Sequence, residues 1–121
     1  MSEQLDKIFS RYADKVKPVL VPFLILYIIY KRGKASSTEI KKELEDIASK
    51  TIEYEYTSYY RMMGSLEHEY KVIEPVELVK EKGPARIYYS LTSFGEILMK
   101  KIYQEIIIPI KKVDLEHKGD K

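Results

Sequence analysis

Apolar residues at Leu5, Ile8, Phe9, Tyr12 and Val16 recur every three or four positions. That spacing predicts a short amphipathic helix over 5–16. Pro18 is placed to open a second helix, where its missing N–H costs nothing. This helix is apolar nearly all round through Tyr30 and meets Lys31-Arg32-Gly33, a basic last turn followed by glycine. It is the expected centre of the core. Ser36-Ser37-Thr38 offers hydroxyl caps for a third helix carrying Ile40, Leu44 and Ile47. Residues 50–55 read as a connection. Tyr56, Tyr59, Tyr60, Met63, Leu66 and Tyr70 then mark a fourth helix. Gly64 lies inside it at a propensity cost of about 1 kcal/mol. It either permits close approach of another surface or is simply tolerated.

The period then changes to two. Val72, Glu74, Val76, Leu78 and Lys80 straddle Pro75, and Arg86 to Leu91 is rich in aromatic and β-branched residues. Between them Lys80-Glu81-Lys82-Gly83-Pro84-Ala85 reads as a turn, so the pair predicts a β-hairpin. Pro75 and Pro84 argue for edge or loop positions. Thr92 or Ser93 caps a last helix with Glu96 near the capping-box position. Its stripe is Phe94, Ile97, Leu98, Ile102, Tyr103, Ile106 and Ile107, and Pro109 is expected to end or bend it. The tail 111–121 is charged.

Composition narrows the class. The 121 residues fit one domain, with 45% hydrophobic and 33% charged residues, a folded rather than disordered balance. No cysteine is present, which removes disulfides, thiolate catalysis and cysteine-based zinc sites. A reducing, cytoplasmic setting is the expectation. Twenty-one Lys and Arg against 19 Asp and Glu give a net charge of +2. That excludes a histone-like coat but leaves room for a local basic patch. Val19 to Tyr30 is the most apolar stretch. As a helix it reaches only about 18 Å, short of the roughly 30 Å of a bilayer core, so no membrane partner is expected. The start, MSEQLDKIFSRYADK, does not read as a secretory signal. His68 and His117 are the only histidines, no phosphate-binding glycine loop is present, and no metal, cofactor or catalytic residue is expected.

Helices followed by a hairpin and a long last helix form a winged helix-turn-helix order. The expected fold class is mainly α with a small β-hairpin wing. The third helix would support and the fourth would enter the major groove, with the hairpin reaching the DNA backbone or adjacent minor groove. The domain scheme is an N-terminal dimerisation helix over 1–15, a winged-helix DNA-binding domain over 16–92, a C-terminal dimerisation helix over 93–110 and a charged tail over 111–121.

Two segments carry a resemblance. Tyr60-Arg61-Met62-Met63-Gly64-Ser65-Leu66-Glu67-His68-Glu69 resembles the recognition helix of the PadR family, and Gly83 to Thr92 followed by Gly95 and Leu98 is similar to that family's wing and its exit into the last helix. The likeness extends over roughly residues 18–107. It implies a homodimeric transcription regulator, usually a repressor, that dimerises through its terminal helices. The alternative is a winged-helix protein-protein interaction module without sequence-specific DNA binding. A small-molecule effector is left open and is not indicated.

Each candidate residue has a bland counterpart. Arg61 could donate a bidentate pair to guanine O6 and N7, bind a phosphate, or pair with a nearby carboxylate. Ser58, Met62 and Ser65 share its face, which a plain solvated surface would equally produce. Thr57 suits a phosphate at the helix start or an ordinary cap. Tyr59 suits a phosphate or the core. Ser37 and Thr38 are caps, phosphate ligands or both, and Lys34 adds charge beside them. Lys82 and Arg86 flank the wing turn, where structure alone has no use for two cations and the resemblance implies contact with the DNA backbone; the alternative is a solvated turn. Leu5, Ile8, Phe9 and Tyr12, with Ile97, Leu98, Ile102 and Ile106, exceed what one small core covers and are assigned to a dimer interface. A two-fold dimer would set two recognition helices roughly 34 Å apart.

Overall fold

The computed structural model describes residues 2–48, 56–80 and 83–117. The two expected N-terminal helices are one. Helix α1 spans Glu3–Arg32 without a break at Pro18 or Pro22, so no joint separates 1–15 from 16–92. Each proline removes one N–H and orphans the carbonyl four residues earlier. Those carbonyls belong to Asp14 and Pro18, neither of them in a buried residue, so water can satisfy them and the helix survives. The Ser2 hydroxyl accepts from the Leu5 N–H at 3.0 Å. At the other end Gly33 adopts φ +83° and donates to the Ile29 carbonyl at 2.8 Å.

Strand β1 (Ala35–Ser36) leads into α2 (Ser37–Ala48), and α3 covers Tyr56–Gly64. Helix α3 widens into a π-helical turn, Ser65–Glu69, before the chain reverses. Lys71 makes that reversal at φ +55°, a left-handed conformation that glycine adopts more cheaply. Strands β2 (Ile73–Val79) and β3 (Arg86–Leu91) form the expected hairpin. The sheet order is β1-β3-β2, antiparallel throughout. Pro75 thus sits on an edge strand. Pro75 faces Tyr89 and Glu77 faces Tyr88, so Val76 is an extra residue in the ladder. That bulge explains why the apolar alternation around Pro75 is imperfect.

Helix α4 (Ser93–Ile102) is capped by the Thr92 hydroxyl, which accepts from the Gly95 N–H at 3.0 Å. The chain continues helically through a π turn, Tyr103–Ile107, to Ile108–Ile110. Pro109 lies in that last turn and the helix ends after Ile110, close to the expected stop. Leu115–His117 forms a short 3-10 turn in the charged tail.

The core gathers Val21, Ile25, Leu26, Ile28 and Ile29 of α1, Ile40 and Leu44 of α2, Tyr59 and Met63 of α3, with Leu66, Val72, Ile73 and Met99. Full burial of one such aliphatic side chain contributes about 1.5–3 kcal/mol. No residue of α1 before Val21 is buried. Ala13, Val16, Lys17 and Leu20 are half-buried, while Glu3 to Tyr12 are exposed throughout, so at about 1.5 Å per residue roughly 15 Å of helix extends past the core. No described helix is long and apolar enough to cross a membrane.

Candidate nucleic-acid interface

Tyr59 ties α3 to α2 within the shared core. Tyr59 is fully buried, and its hydroxyl donates to the Ser37 carbonyl at 2.8 Å. The phosphate assignment of Tyr59 is thereby corrected. A ring at the centre of the core with its hydroxyl turned to α2 does not present itself to a ligand.

Of the three hydroxyls expected to cap α2, the first, Ser36, does so. The Ser36 hydroxyl accepts from the Glu39 N–H at 3.2 Å, and Glu39 Oε1 accepts from the Ser36 N–H at 3.0 Å. This is a reciprocal capping box. Ser37 and Thr38 are therefore in the first turn rather than caps. Ser37 is half-buried and Thr38 is exposed, and both line the cleft described next. Glu39 and Glu43 also hold Arg32, at 3.7 Å and 2.8 Å.

Helix α3 presents different residues to its two sides. Toward the wing, Tyr60, Gly64 and Glu67 line a cleft of about 560 Å³ with Ser37, Thr38 and Arg86. Toward the terminal helices, Ser58, Arg61, Met62 and Ser65 line a groove of about 460 Å³ with Pro18, Pro22, Leu98 and Ile102. The candidates on α3 do not all share one face with the wing. Ser58, Met62 and Ser65 are half-buried on the side of α1 and α4, and Met62 packs against the core. Arg61 and Thr57 are exposed. The apolar stripe of α3 did not single out Tyr60, Gly64 and Glu67 as a cleft wall. Their spacing, i, i+4 and i+7, is the signal that marks it.

Charge on this surface is partly consumed. Lys34 bonds the Glu77 carboxylate on β2, and its ammonium lies 5.7 Å over the Tyr88 ring. The hydrogen bond and charge of Glu77 hold the Lys34 pKa above its usual value. Arg61 and Arg86 are exposed and make no ion pair among the described residues. Lys82 lies outside the described residues. Beneath the cleft, burial pushes the Tyr89 phenol up, the Glu67 carboxylate adds to this, and a hydrogen bond with Ser37 opposes it.

The intended dimer surface divides similarly. Leu5, Ile8, Phe9, Tyr12, Ile97 and Ile106 are exposed, Tyr12 at 70% and Ile97 at 65%. Leu98 and Ile102 are half-buried and pack against the chain's own core. The rest of their surface lines the groove beside α1. Among the described residues no group of three His, Cys, Asp or Glu could hold a metal ion.

A helix-turn-helix fastened at Tyr59, followed by a β2–β3 wing and flanked by long terminal helices, defines a winged-helix protein. Solved structures place it more closely. A PadR family transcriptional regulator from Eggerthella lenta superposes with a TM-score of 0.71 at 19% identity, covering 91% of this chain and 92% of that one. A PadR-like transcriptional regulator from Bacillus cereus gives 0.69 at 21%, covering 88% and 99%. A transcriptional regulator from Clostridium thermocellum gives 0.63 at 21%, covering 88% and 96%. The fold is thus PadR-like winged-helix over nearly the whole chain. No family model matches the sequence, and no curated protein matches it.

Proposed function

We propose that this chain is a sequence-specific double-stranded DNA-binding regulator of transcription that works as a homodimer and represses by blocking promoter access. The observation that carries the reading is the cleft where α2, α3 and the wing converge. There Thr38, Tyr60 and an exposed Arg86 face the same space. An α-helix fits the major groove, and a basic hairpin beside it suits the phosphate backbone. The PadR-like fold, shared with proteins described as transcriptional regulators, supports the same reading. Arg61 and Thr57 supply base or phosphate contacts from the exposed face of α3, and Lys82 adds a second wing cation. The exposed stripes of α1 and the last helix supply the two-fold association surface.

One observation favours a second reading, a protein-interaction module. Glu67 lines the cleft and Glu77 occupies Lys34, so two carboxylates stand near the path of a phosphate backbone. Fluorescence anisotropy decides between them. The full chain is titrated at two salt concentrations with a duplex it has selected from a randomised pool, and with a scrambled duplex. Tight, salt-sensitive binding to the selected duplex alone is the expected result. Equal binding to both duplexes, or none at low salt, overturns the specific-regulator reading.

A further inference from the structure

Gly64 has no evident reason to be glycine in the free chain. Its backbone is ordinary right-handed helix, φ −60° and ψ −42°, so the left-handed freedom of glycine is unused. A β-carbon built on it meets nothing within 4 Å, so among the described residues no neighbouring group needs the space. Glycine within a helix is nonetheless unfavourable relative to alanine, because its backbone loses more freedom on folding. The unfavourable residue also stands in a telling place. It lines the wing cleft with Tyr60 and Arg86, and it follows the exposed Arg61 by three positions and Tyr60 by four.

We infer that Gly64 is the point of closest approach between α3 and a DNA duplex, where a base edge in the major groove packs against bare helix backbone. This rests on the DNA-binding reading above and adds to it a residue that governs how deeply the helix seats. Tyr60 and Arg61 stand about one turn before the bare patch and reach the duplex only when the helix seats fully at Gly64. A side chain at position 64 holds the helix away from the base edges. Phosphate contacts from long cations such as Arg86 tolerate that displacement, whereas short base-edge contacts do not. The bare patch therefore contributes to discrimination between sequences more than to general attraction.

The test uses the full chain, Gly64→Ala and Gly64→Leu, each followed by thermal unfolding and by anisotropy titration. The probes are the duplex selected by the wild type and a random duplex. Gly64→Ala is expected to raise Tm by several degrees while weakening binding to the selected duplex by about tenfold, the scale of one mismatched base pair. Gly64→Leu weakens it further. Binding to random DNA and the salt slope stay close to wild type. Retention of full affinity for the selected duplex by both variants overturns the inference. So does a fall in Tm for Gly64→Ala, which would assign the glycine to the π turn that follows it. If the wild type enriches no duplex at all, the DNA-binding reading itself fails, a result separable from either of these.

Discussion

Gly95 presses against the main chain of Val72: a β-carbon on Gly95 would stand 2.0 Å from the Val72 carbonyl oxygen and 2.8 Å from its carbon. The same oxygen accepts from the Thr92 N–H at 3.0 Å, and the Thr92 hydroxyl donates to the Lys71 carbonyl at 2.8 Å. The chain leaving the π turn after α3 is thus joined to the start of α4. Gly95→Ala meets backbone rather than a side chain that could swing aside. We expect a loss of at least about 1–3 kcal/mol, the usual range for overpacking. Urea denaturation measures it, and an unchanged midpoint would contradict the close approach.

Lys71 offers a change of opposite sign. Its φ of +55° strains any residue with a β-carbon, and glycine relieves that strain at some cost in unfolded-state entropy. Lys71→Gly is expected to stabilise the fold by about 0.5–1 kcal/mol, the left-handed cost less the entropy glycine adds to the unfolded chain. A lower denaturation midpoint would refute this.

Alkaline pH should destabilise the protein. Tyr89 ionises at higher pH in the folded chain than its usual 10.0, chiefly because of burial, and Lys34 loses its proton above its usual 10.5 because of Glu77. For both, the folded state holds the proton more tightly than the unfolded state. Their contributions are complete below the unfolded pKa values and are lost as pH rises through the folded ones. Stability should therefore decline from about pH 10 upward. Tyr89→Phe should make the decline shallower. Denaturation midpoints on either side of the tyrosine range are the check, with an unaltered slope in the variant as the contrary result.

The wing should contribute general attraction to DNA. Arg86→Ala is expected to weaken selected and random duplexes alike and to lower the salt slope by about 0.9 for each phosphate no longer neutralised. Arg61→Ala, by contrast, should relax discrimination by about 1–3 kcal/mol if Arg61 reads a guanine. Anisotropy over a salt series separates the two. A pure loss of discrimination on removing Arg86 would contradict its assignment to the backbone.

The exposed stripe of α1 should govern association. Phe9→Glu together with Ile97→Glu places charge on two positions outside the core, at 59% and 65% exposure. Light scattering should report a dimer for the wild type and a monomer for the double variant, with circular dichroism unchanged. A wild-type monomer, or a dimer indifferent to both charges, would remove the homodimer from the proposed function.

Element order and the core were readable from periodicity, because long apolar stripes are sampled many times along the chain. The single residues that settle local geometry were less so. Pro18 looks like a helix start because sequence does not show that the orphaned carbonyl can reach water. Ser36, Ser37 and Thr38 are chemically equivalent caps, and the choice falls to Ser36 through the reach of Glu39. Strand β1 has two residues, too few for any period. Tyr59 and Tyr60 are adjacent and identical in type, yet one is fully buried and the other is 45% exposed. Only the orientation of α3 against α2 separates them. That orientation also moves Ser58, Met62 and Ser65 to the side of α1 and α4.

The continuity of α1 through its two prolines has an evolutionary consequence. Its first turns are joined to the core through unbroken helix, yet every residue from Glu3 to Tyr12 is exposed. Substitutions in that stretch can accumulate with little penalty to folding, while changes from Val21 onward are constrained by packing. One helix thus carries two rates of permissible change. New association preferences can be explored at its free end while the winged-helix end keeps its shape.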